Sequence, residues 1–216
     1  MERATRTTAR ALGVYAGLIA LQHGVFEILQ QGAAPEGLMI NAVGPPCRPE
    51  AVWHACLPAM TLLPSFRIAG VLTVAVSLAI IVWAVWFIPR TASGLALMAL
   101  SIVALLVGGG FVAPFIGLIA GATGTRVGTP LRWWRTRLHS PALRVLATVW
   151  PWPLVAMGLW LPAGWMLGVL LGEVMLRLST LSFFVFDIGL PVLAALSSLA
   201  HDAHREGPPG SDGIVE

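Results

Sequence analysis

Charge is scarce in this chain, and one kind of charged residue is missing. Only 11% of its 216 residues are charged, and all thirteen basic residues are arginine, because the sequence has no lysine. Soluble domains carry about 25% charged residues and about 45–50% apolar ones, whereas 57% of this chain is hydrophobic. A soluble fold of this size still exposes about a quarter to a third of its surface. The composition therefore excludes a water-soluble domain and a disordered chain, and the missing lysine is typical of a GC-rich bacterial genome.

Recognisable catalytic motifs are also missing. The sequence contains no Walker loop, dinucleotide-binding fingerprint, H-E-x-x-H metal motif, nucleophile elbow or kinase set. The three glycines Gly108–Gly110 lack the Lys-Ser/Thr pair that completes a phosphate loop. We therefore predict no cofactor, no metal site and no catalytic residue, and we favour a protein that is not an enzyme.

Long apolar runs make up most of the chain and predict an all-α protein, a polytopic transmembrane helix bundle. A bilayer core about 30 Å thick is crossed by a helix of about 20 apolar residues. We expect about four full spans plus a kinked or re-entrant helical hairpin, with a turn at residues 162–164. The spans are 11–29, 65–88, 141–161 and 164–186, the last continuing to about residue 200 after a break at 187–191, and the hairpin is 94–123.

The chain is expected to hold one integral membrane domain, residues 1–200. Residues 31–64 are rich in proline and glycine and are predicted to form an extracytoplasmic loop. Residues 124–144 combine five arginines with Trp133 and Trp134, a pattern typical of a segment that lies against anionic lipid headgroups. The polar, Gly/Pro-rich tail 201–216 is predicted to be disordered.

The arginines also indicate the orientation, because arginine favours the cytoplasmic side of a membrane. Residues 94–123 would form a helix of about 45 Å, but Gly108–Gly110 and Pro114 interrupt it. As one span after a cytoplasmic N-terminus, this segment places most arginines outside; as a hairpin it places most inside. Five spans with an external N-terminus lose the first three arginines. We therefore predict a hairpin, a cell-membrane location and cytoplasmic termini.

Two cysteines, Cys47 and Cys56, fall in the loop 31–64. Disulfides persist outside the cytoplasm, and an even number of cysteines in such a loop predicts one bridge. The spacing is not the C-x-x-C of thiol-exchange proteins, so catalysis by these cysteines is disfavoured.

Polar groups near the end of the first run are the first candidates for a functional site. His23 and Glu27 are four residues apart, and Gln30 falls on the same helical face. Ionisable groups inside a span usually mark a pathway, a partner or a cofactor. The functional interpretations are a proton relay, a metal or tetrapyrrole ligand at His23, or a substrate contact. The alternative is that this end of the helix faces a watery loop.

A second polar group lies in the last long run. Glu173, Arg177 and Asp187 share one face of a continuous helix there, and the first two have the spacing of a helical ion pair. Together with His23, Glu27 and Gln30 they form a candidate charged seam that faces a cavity. The alternatives are a structural ion pair, or a turn that leaves these residues at the membrane interface.

Seven glycines recur at four-residue steps. Small residues at this spacing let helices approach closely in lipid. The pattern predicts helix packing but does not distinguish packing within the chain from packing against a partner. The glycines are Gly13, Gly17, Gly117, Gly121, Gly164, Gly168 and Gly172.

Three classes of function fit these features. The first is a non-enzymatic subunit or helper of a membrane complex, which the lack of catalytic motifs favours. The second is a small proton-coupled or solute transporter that uses the charged seam and the broken segment 94–123, although no inverted repeat is visible. The third is a membrane-embedded enzyme acting on a lipid or quinone. The expected partners are the lipid bilayer and other membrane subunits or a second copy; nucleic acid is excluded, since helix orientation explains the arginines.

Overall fold

The computed structural model describes residues 3–30, 34–35, 37–42, 58–88, 92–137 and 140–206. Within them the regular secondary structure is helical, apart from a two-stranded antiparallel sheet that pairs β1 (Met39–Asn41) with β2 (Pro58–Met60). This confirms the all-α architecture. Turns and loops connect these elements. The helices are α1 (Ala4–Leu29), α2 (Phe66–Trp86), α3 (Ser93–Val107), α4 (Val112–Gly124), α5 (Arg132–Arg137), α6 (Ser140–Val149), α7 (Trp152–Leu170), α8 (Gly172–Arg177), α9 (Ser179–Ser182), a π-helix (Phe183–Gly189) and α10 (Leu190–Arg205).

Four helical segments are long and apolar enough to cross a membrane. They are Ala4–Leu29, Phe66–Trp86, Pro141–Leu170 and Ser179–Arg205. The first two lie close to the runs predicted from the sequence. The third combines α6 and α7, and the fourth combines α9, the π-helix and α10.

Residues 94–123 form two short helices that pack against each other, as a hairpin requires. The helices α3 and α4 have 15 and 13 residues, or about 20 Å each, which is less than the thickness of a bilayer core. The chain reverses at Gly108 (φ 122°) and Gly110 (φ 77°). Both angles lie in the left-handed region that glycine adopts without strain. The three glycines therefore end one helix and redirect the chain into the next.

Close glycine contacts hold α1 against α2. A Cβ placed on Gly24 would lie 2.9 Å from the carbonyl oxygen of Gly70, and one on Gly70 would lie 2.6 Å from the carbonyl oxygen of Gly24. On the same helix, a Cβ on Gly13 would lie 2.6 Å from Cβ of Ala84, and one on Gly17 would overlap Ile81. Backbones this close leave no space for a side chain. Gly13 and Gly17 therefore pack against α2 of the same chain.

The hairpin and α7 use the other glycines. A Cβ on Gly121 would lie 2.6 Å from the carbonyl oxygen of Gly94, and one on Gly117 would overlap the Ser101 hydroxyl, so both pack α4 against α3. Gly164 and Gly168 are buried on α7. Gly172 is half-buried at the start of α8.

The predicted turn at residues 162–164 is wrong, because α7 continues through Pro162. A proline inside an apolar helix is tolerated when its neighbours satisfy the freed backbone groups. The helix ends instead at Leu171, whose ψ of 41° departs from helical geometry. A second break follows at Leu178, so α8 connects the third and fourth candidate spans, and the continuous helix expected through Glu173 and Asp187 is interrupted.

The last helix closes the bundle by capping the first. Asp202 of α10 is buried, and its two carboxylate oxygens accept hydrogen bonds from the backbone N–H groups of Ala4 (3.0 Å) and Thr5 (2.9 Å). Two otherwise unpaired donors at the start of α1 are satisfied in this way. The helix α10 thus runs to Arg205, past the boundary at residue 200 expected for the tail, and residues 207–216 lie outside the described part of the chain.

Replacing Asp202 with alanine is expected to lower the free energy of unfolding by about 1–2 kcal/mol, since two buried N–H donors lose their acceptor and a negative charge leaves the helix N-terminus. Unfolding in mixed detergent micelles would measure this. Asp202→Asn keeps one acceptor and should lose less. Equal stability of Asp202→Ala and wild type would contradict the cap.

The sheet covers the end of the bundle opposite this cap. Leu62 donates its N–H to the carbonyl of Leu106 (3.0 Å), and Thr61 pairs with Val107. The segment after β2 therefore lies against the tip of the α3–α4 hairpin. We call this the loop end, and the end around Asp202 the arginine end, because it carries Arg3, Arg6 and Arg10. Cys47 and Cys56 lie outside the described residues, so their disulfide stays a prediction.

Candidate functional site

A buried carboxyl group lies at the tip of the hairpin. Glu27 is the single acidic residue of α1, and its exposed fraction is 0%. A Cβ on Gly108 would overlap Oε1 of Glu27 and lie 2.6 Å from Oε2. The backbone of the hairpin turn therefore covers the carboxyl group directly, which glycine alone permits.

The groups around Glu27 do not neutralise it. The Thr73 hydroxyl lies beside the carboxyl group, but its oxygen is 3.0 Å from the carbonyl oxygen of Val107, to which it donates its proton. Apart from a share in this one hydroxyl proton, neither carboxyl oxygen has a hydrogen-bond donor among the residues that the structure describes. A buried anion with so little hydrogen bonding is strongly unfavourable. Glu27 is therefore suited to hold a proton or a small cation.

His23 lies one helical turn from Glu27 and is 5% exposed. Its imidazole faces the same glycine turn: a Cβ on Gly110 would lie 2.5 Å from Nε2 and 2.7 Å from Cε1. The glycine turn therefore contacts both groups, with Gly108 on the carboxyl group and Gly110 on the imidazole.

A small, partly open cavity extends from His23 towards the π-helix. Its volume is about 100 Å³, enough for a few water molecules. Apolar residues of α1 and α7 complete its wall. Its polar lining comes from Tyr15, Gln22, His23, Trp165 and Asp187.

Asp187 reaches this cavity from the π-helix. Widened helical turns of this kind occur frequently at functional sites. Beside Asp187, the ring of Phe186 stacks on Trp160 of α7 with centroids 3.7 Å apart and an angle of 7°. This contact fixes the π-helix against α7 and places the Asp187 carboxyl group on the cavity wall with His23.

Three predicted site residues lie elsewhere. Glu173 and Arg177 are exposed on α8, and although the structure describes both, it shows no ion pair between them. Gln30 follows the end of α1 and donates its amide N–H to the carbonyl oxygens of Asn41 (3.1 Å) and Ala42. The charged seam is therefore divided: His23 and Asp187 line one cavity and Glu27 lies one helical turn from His23, whereas the other three belong to the ends of the bundle.

The sequence analysis missed Tyr15, Gln22 and Thr73. Tyr15 is the one tyrosine of the chain and precedes His23 by about two helical turns. Gln22 directly precedes His23 in the sequence. Thr73 and Ser77 are polar residues one turn apart in an otherwise apolar run, a signal that indicates a polar helix face. The position of the Gly108–Gly110 turn over Glu27 and His23 has no comparable signal in the sequence.

Comparison of the chain with protein-family models, with curated proteins and with solved structures finds no match. Among the described residues, no three histidine, cysteine, aspartate or glutamate side chains are grouped closely enough to hold a metal ion together. The site is accordingly interpreted from its own geometry.

Proposed function

We propose that the protein is an integral cell-membrane protein that carries protons, alone or coupled to a small solute, through Glu27 and His23. The four long apolar helices support the membrane placement. The observation that carries the proposal is Glu27, whose fully buried carboxyl group is covered by the turn between the two short helices α3 and α4. Ionisable groups within membrane segments are typical of proton pathways, and interrupted helices often bracket transport sites.

A proton route follows from the order of the polar groups. Glu27 and His23 are four residues apart on α1, about 6 Å along the helix axis. From His23 the cavity leads to Tyr15 and Asp187, and water inside it would connect these groups. In this route Glu27 exchanges its proton near the loop end, and His23 passes it to the cavity.

The distribution of arginine supports the orientation of this route. Arg3, Arg6, Arg10 and Arg205 belong to the arginine end, whereas Arg67 begins α2 at the loop end. By the positive-inside preference, we propose that the arginine end and both termini face the cytoplasm. The loop with Cys47 and Cys56 then faces outward, where a disulfide is stable.

Purified protein reconstituted into vesicles that contain a pH-sensitive dye tests the proposal. A potassium diffusion potential should drive proton entry faster than into protein-free vesicles. The same assay with candidate solutes on one side shows whether a solute is coupled to the proton. Proton entry no faster than in protein-free vesicles, under every solute condition, would contradict the proposal.

A second candidate, a non-enzymatic subunit of a membrane complex, is supported by α8. Glu173 and Arg177 are exposed there beside Val174 and Leu178, which are also exposed. Such a mixed surface, next to the ends of two candidate spans, suits contact with another membrane protein. Gentle extraction from native membranes would test this, because a subunit migrates as a larger complex, and Glu173→Ala with Arg177→Ala should dissociate it.

A further inference from the structure

We infer that a groove between α4, α5 and α10 binds an anionic phospholipid. This lipid groove has a volume of about 670 Å³ and is separate from the cavity at His23. Its apolar wall includes Ile119 and Ala122 from α4 and Leu196 from α10, while Arg126 and Trp133 lie at its mouth. The inference rests on the membrane placement proposed above, but it does not depend on proton transfer.

The shape of the groove suits an acyl chain. Its α4 wall extends from Ile119 to Thr123, and its α10 wall extends from Val192 to Leu199, a distance of about 10 Å along the helix axis. These walls are almost entirely apolar. A lipid chain would cover this apolar surface without leaving a polar group unpaired.

The mouth of the groove suits a phosphate group. Arg126 is exposed, and its guanidinium forms no hydrogen bond or ion pair with other groups in the described part of the chain. Glu206, which accepts the N–H of Leu131 in the groove wall (3.4 Å), is already engaged, because it lies 3.8 Å from Arg3. The mouth therefore keeps a net positive charge, and arginine is well suited to phosphate oxygens.

Tryptophan at the mouth indicates the level at which the groove lies in the bilayer. Trp133 is 62% exposed and contacts Trp134 edge to face at 5.6 Å. Indole rings favour the headgroup level of a bilayer. The helix α5 carries three further arginines in sequence, Arg132, Arg135 and Arg137. The groove thus combines a cation, aromatic residues and an apolar wall, the three kinds of group that a phospholipid contacts in a protein.

The test compares two lipids with identical acyl chains, dioleoylphosphatidylglycerol and dioleoylphosphatidylcholine, added to the purified protein in detergent. Native mass spectrometry measures the bound lipid, and thermal unfolding measures the stabilisation. One arginine near an anionic surface contributes enough to make the anionic lipid bind about fivefold more tightly. Arg126→Gln should remove this preference, whereas Arg67→Gln, an exposed arginine at the loop end, should keep it.

Two further arms separate other occupants. Ala122→Trp, which fills the groove from an exposed position, should weaken binding of both lipids, and inorganic phosphate should not displace the anionic lipid. Equal binding of the two lipids by the wild type would overturn the inference, as would full displacement by phosphate, or a dimer that dissociates when Ala122→Trp is introduced. None of these results affects the proton assay, so failure of this site and failure of the proposed function are distinguishable.

Discussion

Glu27→Gln is expected to abolish proton entry into reconstituted vesicles, lowering its rate by about 100-fold or more, the scale on which a positioned proton-transfer group acts. Glutamine has nearly the size and shape of glutamate, so the fit under Gly108 is retained. The amide of glutamine cannot take up or release a proton at the pH of the assay. The fold should therefore persist while the proton step is lost, and dye-monitored flux would measure the difference.

The matched control is Glu173→Gln. It removes the same charge from an exposed residue on α8, and it should leave the flux within about twofold of wild type, since surface changes of this kind rarely disturb a structure. Glu27→Asp, which keeps a carboxyl group but shortens its reach, should retain part of the flux. Normal flux in Glu27→Gln would exclude this residue from the pathway. Loss of flux in Glu173→Gln would return α8 to the pathway.

The large features of this fold are readable from the sequence because they depend on one dominant quantity. Apolar length predicts four long helices, and the described part of the chain contains four of sufficient length. The break at Gly108–Gly110 is also predictable, because three consecutive glycines within a 30-residue apolar run favour the end of a helix. The exact ends of the third and fourth helices are not, because Pro162 ends a helix in water more readily than in an apolar bundle.

The site is only partly readable, for a related reason. His23 and Glu27 are close in sequence, so helical periodicity alone puts them together. Asp187 reaches the same cavity through a π-helix, whose extra residue per turn cannot be anticipated from a regular 100° rotation. The assumption of a regular helix placed Asp187 with Glu173 and Arg177, and the interruptions at Leu178 and in the π-helix separate them.

Contacts between distant parts of the chain are the features that patterns in the sequence do not reveal. Asp202 looks like a charge in a disordered tail, yet it caps a helix that begins 198 residues earlier. Gly24 and Gly70 are not in a glycine repeat, but their backbones are in close contact where α1 packs against α2. Pairing of this kind depends on which helices become neighbours, and periodicity within one helix contains no such information.

The glycine turn over Glu27 offers the second large effect. Gly108→Ala should destabilise the fold for two separate reasons. A residue with a side chain at positive φ is strained by about 1–3 kcal/mol, and its Cβ would overlap the Glu27 carboxyl group. Crowding in a packed interior adds about 1–3 kcal/mol. We expect the free energy of unfolding to fall by about 2–6 kcal/mol, the sum of these two contributions, and proton entry to be lost.

Gly128→Ala separates the two contributions. Gly128 also has a positive φ, 79°, but a Cβ there would have no atom within 4 Å. This variant should therefore show the backbone strain alone, about half of the loss in Gly108→Ala. Adding Glu27→Ala to Gly108→Ala should recover the crowding contribution and leave the strain, so the two substitutions should be less than additive. Strict additivity would mean that the turn and the carboxyl group are not in contact, and the burial of Glu27 by the hairpin would have to be rejected.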